Sequence, residues 1–154
     1  GDHCLIMAYC HVAHNCEVGN HVIMSNNSML AGHVILEDHV IIGGMTPVHQ
    51  FVKIGDYAMV AGASALSQDV PPYCLVEGNR AILRGLNLNG LRRHIDRESI
   101  DALKSAYKEL FESGKPLQEV ASSLLENTTN MSVKSMCEFI KNTKRGIPFE
   151  RKES

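Results

Sequence analysis

Ile6-Met7-Ala8-Tyr9-Cys10-His11, Val12-Ala13-His14-Asn15-Cys16-Glu17 and Val18-Gly19-Asn20-His21-Val22-Ile23 are three consecutive hexads in one phase. That phase decides the fold. Stepping on by six from Val18 meets Met24, Leu30, Leu36, Ile42, Val48, Ile54, Val60 and Leu66, so eleven positions in register from Ile6 are apolar. The residue after each is usually small, as at Ala13, Gly19, Ser25, Ala31, Gly43, Gly55, Ala61 and Ser67. The fifth position is compact throughout, from Cys10, Cys16 and Val22 to Ser64 and Val70. A large aliphatic residue followed by a small one describes a short strand and a tight corner. Three such hexads close a triangular coil of 18 residues. The aliphatic side chains then stack inside a prism, and parallel strands bond to the coils on either side at about 4.8 Å.

This pattern resembles the left-handed parallel β-helix of hexapeptide-repeat proteins. The handedness follows from the resemblance, since parallel crossovers are otherwise right-handed. Gly1 already occupies the small second position and Cys4 the compact fifth. A solenoid end needs a polar cap, so earlier coils are expected to lie outside this chain. The phase stops at Pro71-Pro72, which cannot donate to a ladder. The expected fold class is therefore β + α: a β-helix over 1–72, an extended connector over 73–85 and a small helical domain over 86–154. Within the latter, a short helix is expected over Asn87–Arg93. A longer one would be capped by Asp96 and ended by Gly114. A third would run over Pro116–Leu125 and a fourth after Ser132, with Glu150–Ser154 frayed.

Composition agrees with a compact domain. Hydrophobic residues make up 44% and charged residues 21%, which excludes a disordered chain. Trp is absent and aromatic residues are only 5%, so the core must be aliphatic. No apolar run approaches the roughly 20 residues of a membrane span. The five cysteines form no C-x-x-C pair and are expected to be reduced, which points to the cytoplasm. Of 15 basic and 17 acidic residues, 1–72 hold one base, Lys53, against Asp2, Glu17, Glu37, Asp38, Asp56 and Asp69. The basic surplus thus falls on the second unit. It suits phosphates or an acidic partner, and equally an ordinary solvated helical surface.

The coil length converts spacing into geometry. His14, Gly32, Gln50 and Gln68 are 18 apart and should lie along one edge. His33 adjoins Gly32, His49 adjoins Gln50, and His11 precedes His14 by one strand end. A lone corner histidine is most simply a surface residue. An aligned group is better read as a site, because an accessible imidazole titrates near neutrality and can act as a general base. A glycine one coil away lets a backbone N–H approach a ligand, as an oxyanion donor must.

Longer motifs occur in order: His11-Val12-Ala13-His14-Asn15-Cys16, Leu30-Ala31-Gly32-His33-Val34, Ile42-Gly43-Gly44-Met45-Thr46, Val48-His49-Gln50-Phe51 and Gln68-Asp69-Val70-Pro71-Pro72-Tyr73. Gly78-Asn79 and Asn87-x-x-Gly90-Leu91-Arg92-Arg93 follow. Together they resemble the acyl-carrier-protein-dependent UDP-N-acetylglucosamine O-acyltransferases of lipid A biosynthesis, with specific motifs from residue 1 to about 114. The resemblance implies transfer of an (R)-3-hydroxyacyl chain from acyl carrier protein to the 3-position of a UDP-amino sugar. His14 would be the base and the Gly32 N–H the oxyanion donor. His11, His33, His49 and Gln50 would bind the sugar nucleotide or the acyl-pantetheine arm. Gly62, on another corner with Ala8, Asn26 and Gly44, matches the family position that limits acyl length; a tight corner explains a glycine equally well. Asn87 and Arg93 would contact phosphates or pantetheine, while Arg80, Arg84 and Arg92 would attract the acidic carrier. No cofactor, metal or nucleic-acid partner is implied, and the flat prism faces suggest a homotrimer with the active cleft between subunits.

Two departures stand out. Asn15 replaces the aspartate that often follows the family's catalytic histidine. An amide can orient an imidazole but cannot stabilise an imidazolium as a carboxylate would. His94 stands where the family tends to have a second arginine. The alternatives are another hexapeptide acyltransferase (acetyl-CoA-dependent, or the lipid A N-acyltransferase), a metal site like that of γ-class carbonic anhydrases built on His14, His33 and His49, and a non-catalytic scaffold. The motif order and helical tail argue against the first, and a column holding Gly32 and Gln50 against the second.

Overall fold

The computed structural model describes residues 1–151; the last three, within the segment expected to fray, lie outside it. Ten two-residue strands follow one another every six residues: β1 Leu5–Ile6, β2 His11–Val12, β3 Glu17–Val18, β4 Ile23–Met24, β5 Met29–Leu30, β6 Ile35–Leu36, β7 Ile41–Ile42, β8 Pro47–Val48, β9 Lys53–Ile54 and β10 Met59–Val60. Each pairs in parallel with an equivalent strand one coil away, as in Leu5↔Ile23, His11↔Met29 and Glu17↔Ile35. The three faces are β1-β4-β7-β10, β2-β5-β8 and β3-β6-β9. The prism is a left-handed parallel β-helix.

The aliphatic hexad positions fill its interior. Met24, Leu30, Leu36, Ile42, Ile54 and Val60 are sealed from solvent. Burying such a side chain stabilises by about 1.5–3 kcal/mol. Compact fifth positions let the three walls close, and the polar ones find partners: Ser28 Oγ donates to Ser25 O at 2.9 Å, Thr46 Oγ1 donates to Ala61 O at 3.2 Å, and Ser64 Oγ accepts from the Gly78 N–H at 3.1 Å. All five cysteines are free thiols. Burial pushes the Cys74 thiol far up and the Cys137 thiol up to about 11, so neither is a nucleophile.

Every sixth residue from His3 to Ala63 has positive φ. One left-handed residue turns each corner, a conformation costing a non-glycine residue about 1–3 kcal/mol. The turn is held by an inter-coil bond from that residue's N–H, as from His33 to His14 O (3.1 Å) and Phe51 to Gly32 O (3.1 Å).

The stretch 73–85, expected as an extended connector, contributes to a hairpin. β11 (Cys74–Glu77) adds to the first face in parallel with β10, and β12 (Ile82–Leu86) pairs back antiparallel. Four helices follow: α1 Leu88–His94, α2 Arg97–Tyr107, α3 Leu117–Asn127 and α4 Met131–Asn142. Asp96 caps α2 through the Ser99 N–H at 3.1 Å. The expected single helix up to Gly114 instead passes into a π-helical turn over Lys108–Glu112. The wider turn carries the neighbours Leu110 and Phe111, both buried. α4 begins earlier than expected because Asn130 is its cap, its Oδ1 accepting from Ser132 and Val133.

After α4 the chain returns to the foot of the prism. Asp69 accepts from the Thr143 hydroxyl (2.6 Å) and donates its N–H to Gly146 O (3.0 Å). Gln68 donates to Arg145 O (3.1 Å), and Arg145 Nε to Ser67 O (2.8 Å).

Candidate active site

The corner following β2, β5 and β8 carries two columns of side chains. One is His14, Gly32 and Gln50; the other is the left-handed set Asn15, His33 and Phe51. The exposed His14 ring lies directly over Gly32. A Cβ at Gly32 would sit 2.7 Å from His14 Cε1 and 2.8 Å from Nε2. The glycine is therefore required by the ring above it and not by its own φ, which is not positive.

His14 Nδ1 lies 3.0 Å from Asn15 Oδ1. An amide oxygen only accepts, so Nδ1 carries the hydrogen and Nε2 keeps its lone pair. This is the tautomer a base needs. His33 stands edge-on to His14, with centroids 5.2 Å apart at 86°, and lies flat on Phe51 at 4.7 Å and 9°.

The backbone adds a donor. On the corner following β3, β6 and β9, third-position N–H groups are consumed by side chains: Asn20 by Asp38 (2.7 Å), Asp38 by Asp56 (2.9 Å) and Asp56 by Glu37 (3.0 Å). The equivalent N–H of Gly32 has no protein acceptor among the described residues. A vacant donor beneath a base is the arrangement an oxyanion hole requires.

The other expected site residues are distributed. His11 is exposed on β2 beside this corner. His49 is exposed past β8 and borders an open apolar hollow of about 350 Å³ with Pro47, Leu66 and Asn79. Gly62 lies on a different edge. A Cβ there would meet only Gly44 O at 3.5 Å and Gly44 N at 3.6 Å, ordinary contacts, and its φ is not positive. The fold does not demand glycine at 62, whereas at Gly43 a Cβ would lie 2.3 Å from Gly62 N.

Asn87 is buried as the cap of α1; it donates to Tyr57 O (3.0 Å) and accepts from Gly90 (3.3 Å). Arg93 is exposed in the last turn of α1, next in sequence to His94, whose ring leans on His39 and Tyr57 of the third edge. Within one chain, then, His14, Gly62 and Arg93 belong to three different edges.

Sequence reasoning overlooked that third edge. His3, His21, His39, Tyr57 and Tyr73 stack along it with centroid spacings of 5.2, 4.7, 4.5 and 6.0 Å. His94 leans on His39 and Tyr57. Burial, then His21 and His94, lower the His39 pKa against an opposing pull from Asp38. The signal was present, since 3, 21, 39 and 57 repeat the spacing that revealed the first column. Among the described residues no group of three or more His, Cys, Asp or Glu side chains could hold a metal ion.

A coiled prism built on one hexad phase defines a hexapeptide-repeat protein, and the family pattern called bacterial transferase hexapeptide (six repeats) matches residues 1–32. A second pattern, UDP N-acetylglucosamine O-acyltransferase, domain 2, matches residues 69–148, more than half of the chain. The chain belongs to that UDP-N-acetylglucosamine O-acyltransferase family. It is 67% identical over 148 residues to the acyl-[acyl-carrier-protein]–UDP-N-acetylglucosamine O-acyltransferase of Sulfurovum sp., covering 96% of this chain and 57% of that protein. The enzyme of the same name from Nautilia profundicola is 62% identical over 153 residues, with coverages of 99% and 59%. The solved UDP-N-acetylglucosamine acyltransferase from Campylobacter jejuni superposes with a TM-score of 0.95 at 56% identity, over 98% of this chain and 60% of that one. The chain thus spans about three-fifths of the length of these relatives.

Proposed function

We propose that this chain carries the base, the oxyanion donor and part of the acyl groove of an acyltransferase. The enzyme would move an (R)-3-hydroxyacyl group from acyl carrier protein to the 3-position of UDP-N-acetylglucosamine, the first step of lipid A synthesis, in the cytoplasm. The observation that carries this reading is the His14 ring over Gly32, with Nδ1 held by Asn15 and an unclaimed N–H below. His14 Nε2 would take the proton of the sugar hydroxyl as its oxygen attacks the thioester carbonyl. The Gly32 N–H would hold the oxyanion, a contact worth about 2.7–4 kcal/mol in the transition state. Collapse would then expel the pantetheine thiolate, which His14 reprotonates. The path needs no acyl-enzyme, and burial of Cys74 and Cys137 suits that. His11, His33, His49 and Gln50 would line the substrates. Asn87 would act mainly by anchoring α1, from which Arg93 reaches a phosphate.

Because the site residues occupy three edges, a complete site would be shared between subunits. The outer side of the first face supports a homotrimer: Leu5, Ile23, Ile41, Met59 and Leu75 form an aliphatic column in direct register. The third face presents Glu17, Ile35 and Lys53 instead. Replacing Ile41 by Lys is expected to convert trimers to monomers in analytical ultracentrifugation, with the circular dichroism of the prism retained; a trimeric variant would place the interface elsewhere.

The proposal is tested with a protein that has the full coil complement of its relatives, supplied with acyl-carrier thioesters of defined length and UDP-N-acetylglucosamine. The expected product is the 3-O-acyl sugar nucleotide without zinc in stoichiometric amount; stoichiometric zinc required for turnover would favour the carbonic-anhydrase-like alternative. In the same assay Gly62→Met should shift preference to chains several carbons shorter with little change in Tm, since a side chain fits the fold there. An unchanged length profile would remove Gly62 from the groove.

A further inference from the structure

We infer that Phe51 is a positioning residue for the base, acting through His33. The inference rests on the proposed acyl transfer by His14.

Phe51 is 58% exposed and adopts a left-handed conformation with φ of 64°. Both features are unfavourable for phenylalanine, for which asparagine or glycine would be the natural substitute. The core does not explain its presence, because Phe51 is not among the residues packed against the core. What it does contact is His33, ring on ring at 4.7 Å and 9°.

His33 needs such a support. Neither of its ring nitrogens has a hydrogen-bond partner among the described residues, whereas His14 is tied to Asn15. Stacking on Phe51 therefore fixes the plane of His33, and in that plane its ring meets His14 at 86° and 5.2 Å. The left-handed column on this edge thus has a division of labour. Asn15 holds His14 by hydrogen bond, His33 fences its ring, and Phe51 holds the fence. On the edge carrying Tyr9, Asn27, Met45 and Ala63, the same backbone position holds a single aromatic residue and so no pair of rings to stack. The edge of His3, His21, His39 and Tyr57 stacks its rings in the same way, so the repeat brings rings together wherever aromatic residues stand one coil apart; what is particular here is that the stacked His33 also meets His14. A planar ring at 51 gives His33 a flat support that an aliphatic side chain of similar bulk would not.

Three variants of the protein with its relatives' full coil complement test this in the acyl-transfer assay. Phe51→Leu keeps the apolar bulk but not the plane and should lower kcat about tenfold, with KM for the carrier thioester and Tm unchanged. Phe51→Tyr keeps the plane and should stay within about twofold of the parent. In a His33→Ala background Phe51→Leu should have no further effect, the non-additivity expected of residues acting as one unit. A second readout is free of activity: in histidine-labelled protein, Phe51→Leu should move the ring resonances of both His33 and His14. The inference is overturned if Phe51→Tyr falls as far as Phe51→Leu, if the two losses multiply in the double variant, or if His14 resonances ignore Phe51→Leu. Should the parent protein transfer no acyl group, the functional proposal fails, and the resonance experiment still decides whether Phe51 governs His14.

Discussion

Replacing His14 by alanine is expected to lower kcat for acyl transfer by about 10²–10⁴-fold, the usual contribution of a positioned general base, and to leave Tm within a degree or two. The ring is exposed on a corner and contributes nothing to the prism interior, so its loss leaves no cavity. Its removal does empty the space above Gly32 and frees the Asn15 amide. Neither change alters the path of the chain, since the corner is held by the His33 N–H bond to the backbone oxygen of residue 14. The carrier thioester should still bind, so KM for the donor should change little. The measurement is steady-state transfer by a protein with all the coils of its relatives. Activity within threefold of the parent would remove His14 from the base's role and with it the mechanism proposed above.

Gly32→Ala should be nearly as damaging, by about 10²–10³-fold, the range for losing one oxyanion donor. Its cause is different. An alanine Cβ would lie 2.7 and 2.8 Å from two atoms of the His14 ring, so the imidazole must swing away. One added methyl group therefore displaces the base and crowds the donor together. The backbone at Gly32 is not in the left-handed region, so the protein should fold with unchanged circular dichroism. Because both substitutions disable one unit, the double variant His14→Ala/Gly32→Ala should be far less impaired than the product of the two losses. Multiplicative losses would show that the residues act separately.

The hexad made the prism legible because one phase holds from Ile6 to Leu66 with no interruption, and each apolar position has one place to go. Corner columns followed at 18-residue spacing, and His14 over Gly32 follows from it directly. What spacing could not supply was tertiary pairing. Residues 74–77 become a strand because β10 offers them an edge, through Met59↔Leu75 and Val60↔Val76, and that edge is invisible in the local sequence. Nor could spacing show that Asn87 would spend its amide on Tyr57 and Gly90. The π-helical turn at Lys108–Glu112 reflects two adjacent side chains, Leu110 and Phe111, both needing burial. The imidazole column at His3, His21 and His39 was within reach and was missed by following one edge only.

The return of the chain to the foot of the prism bears on how the molecule comes apart. A linear array of repeats exchanges energy only between neighbours, and its ends are where it opens first. Here the last hexads are tied to a segment 74 to 78 residues further along, through Asp69, Gln68 and Ser67. Closing so long a loop is entropically costly and late in assembly. Once closed, it makes the helices and the final coil a single cooperative unit. Hydrogen exchange at that end would then report on release of the helical tail rather than on fraying, and the edge carrying His14 would be anchored at its base by a segment from outside the repeat.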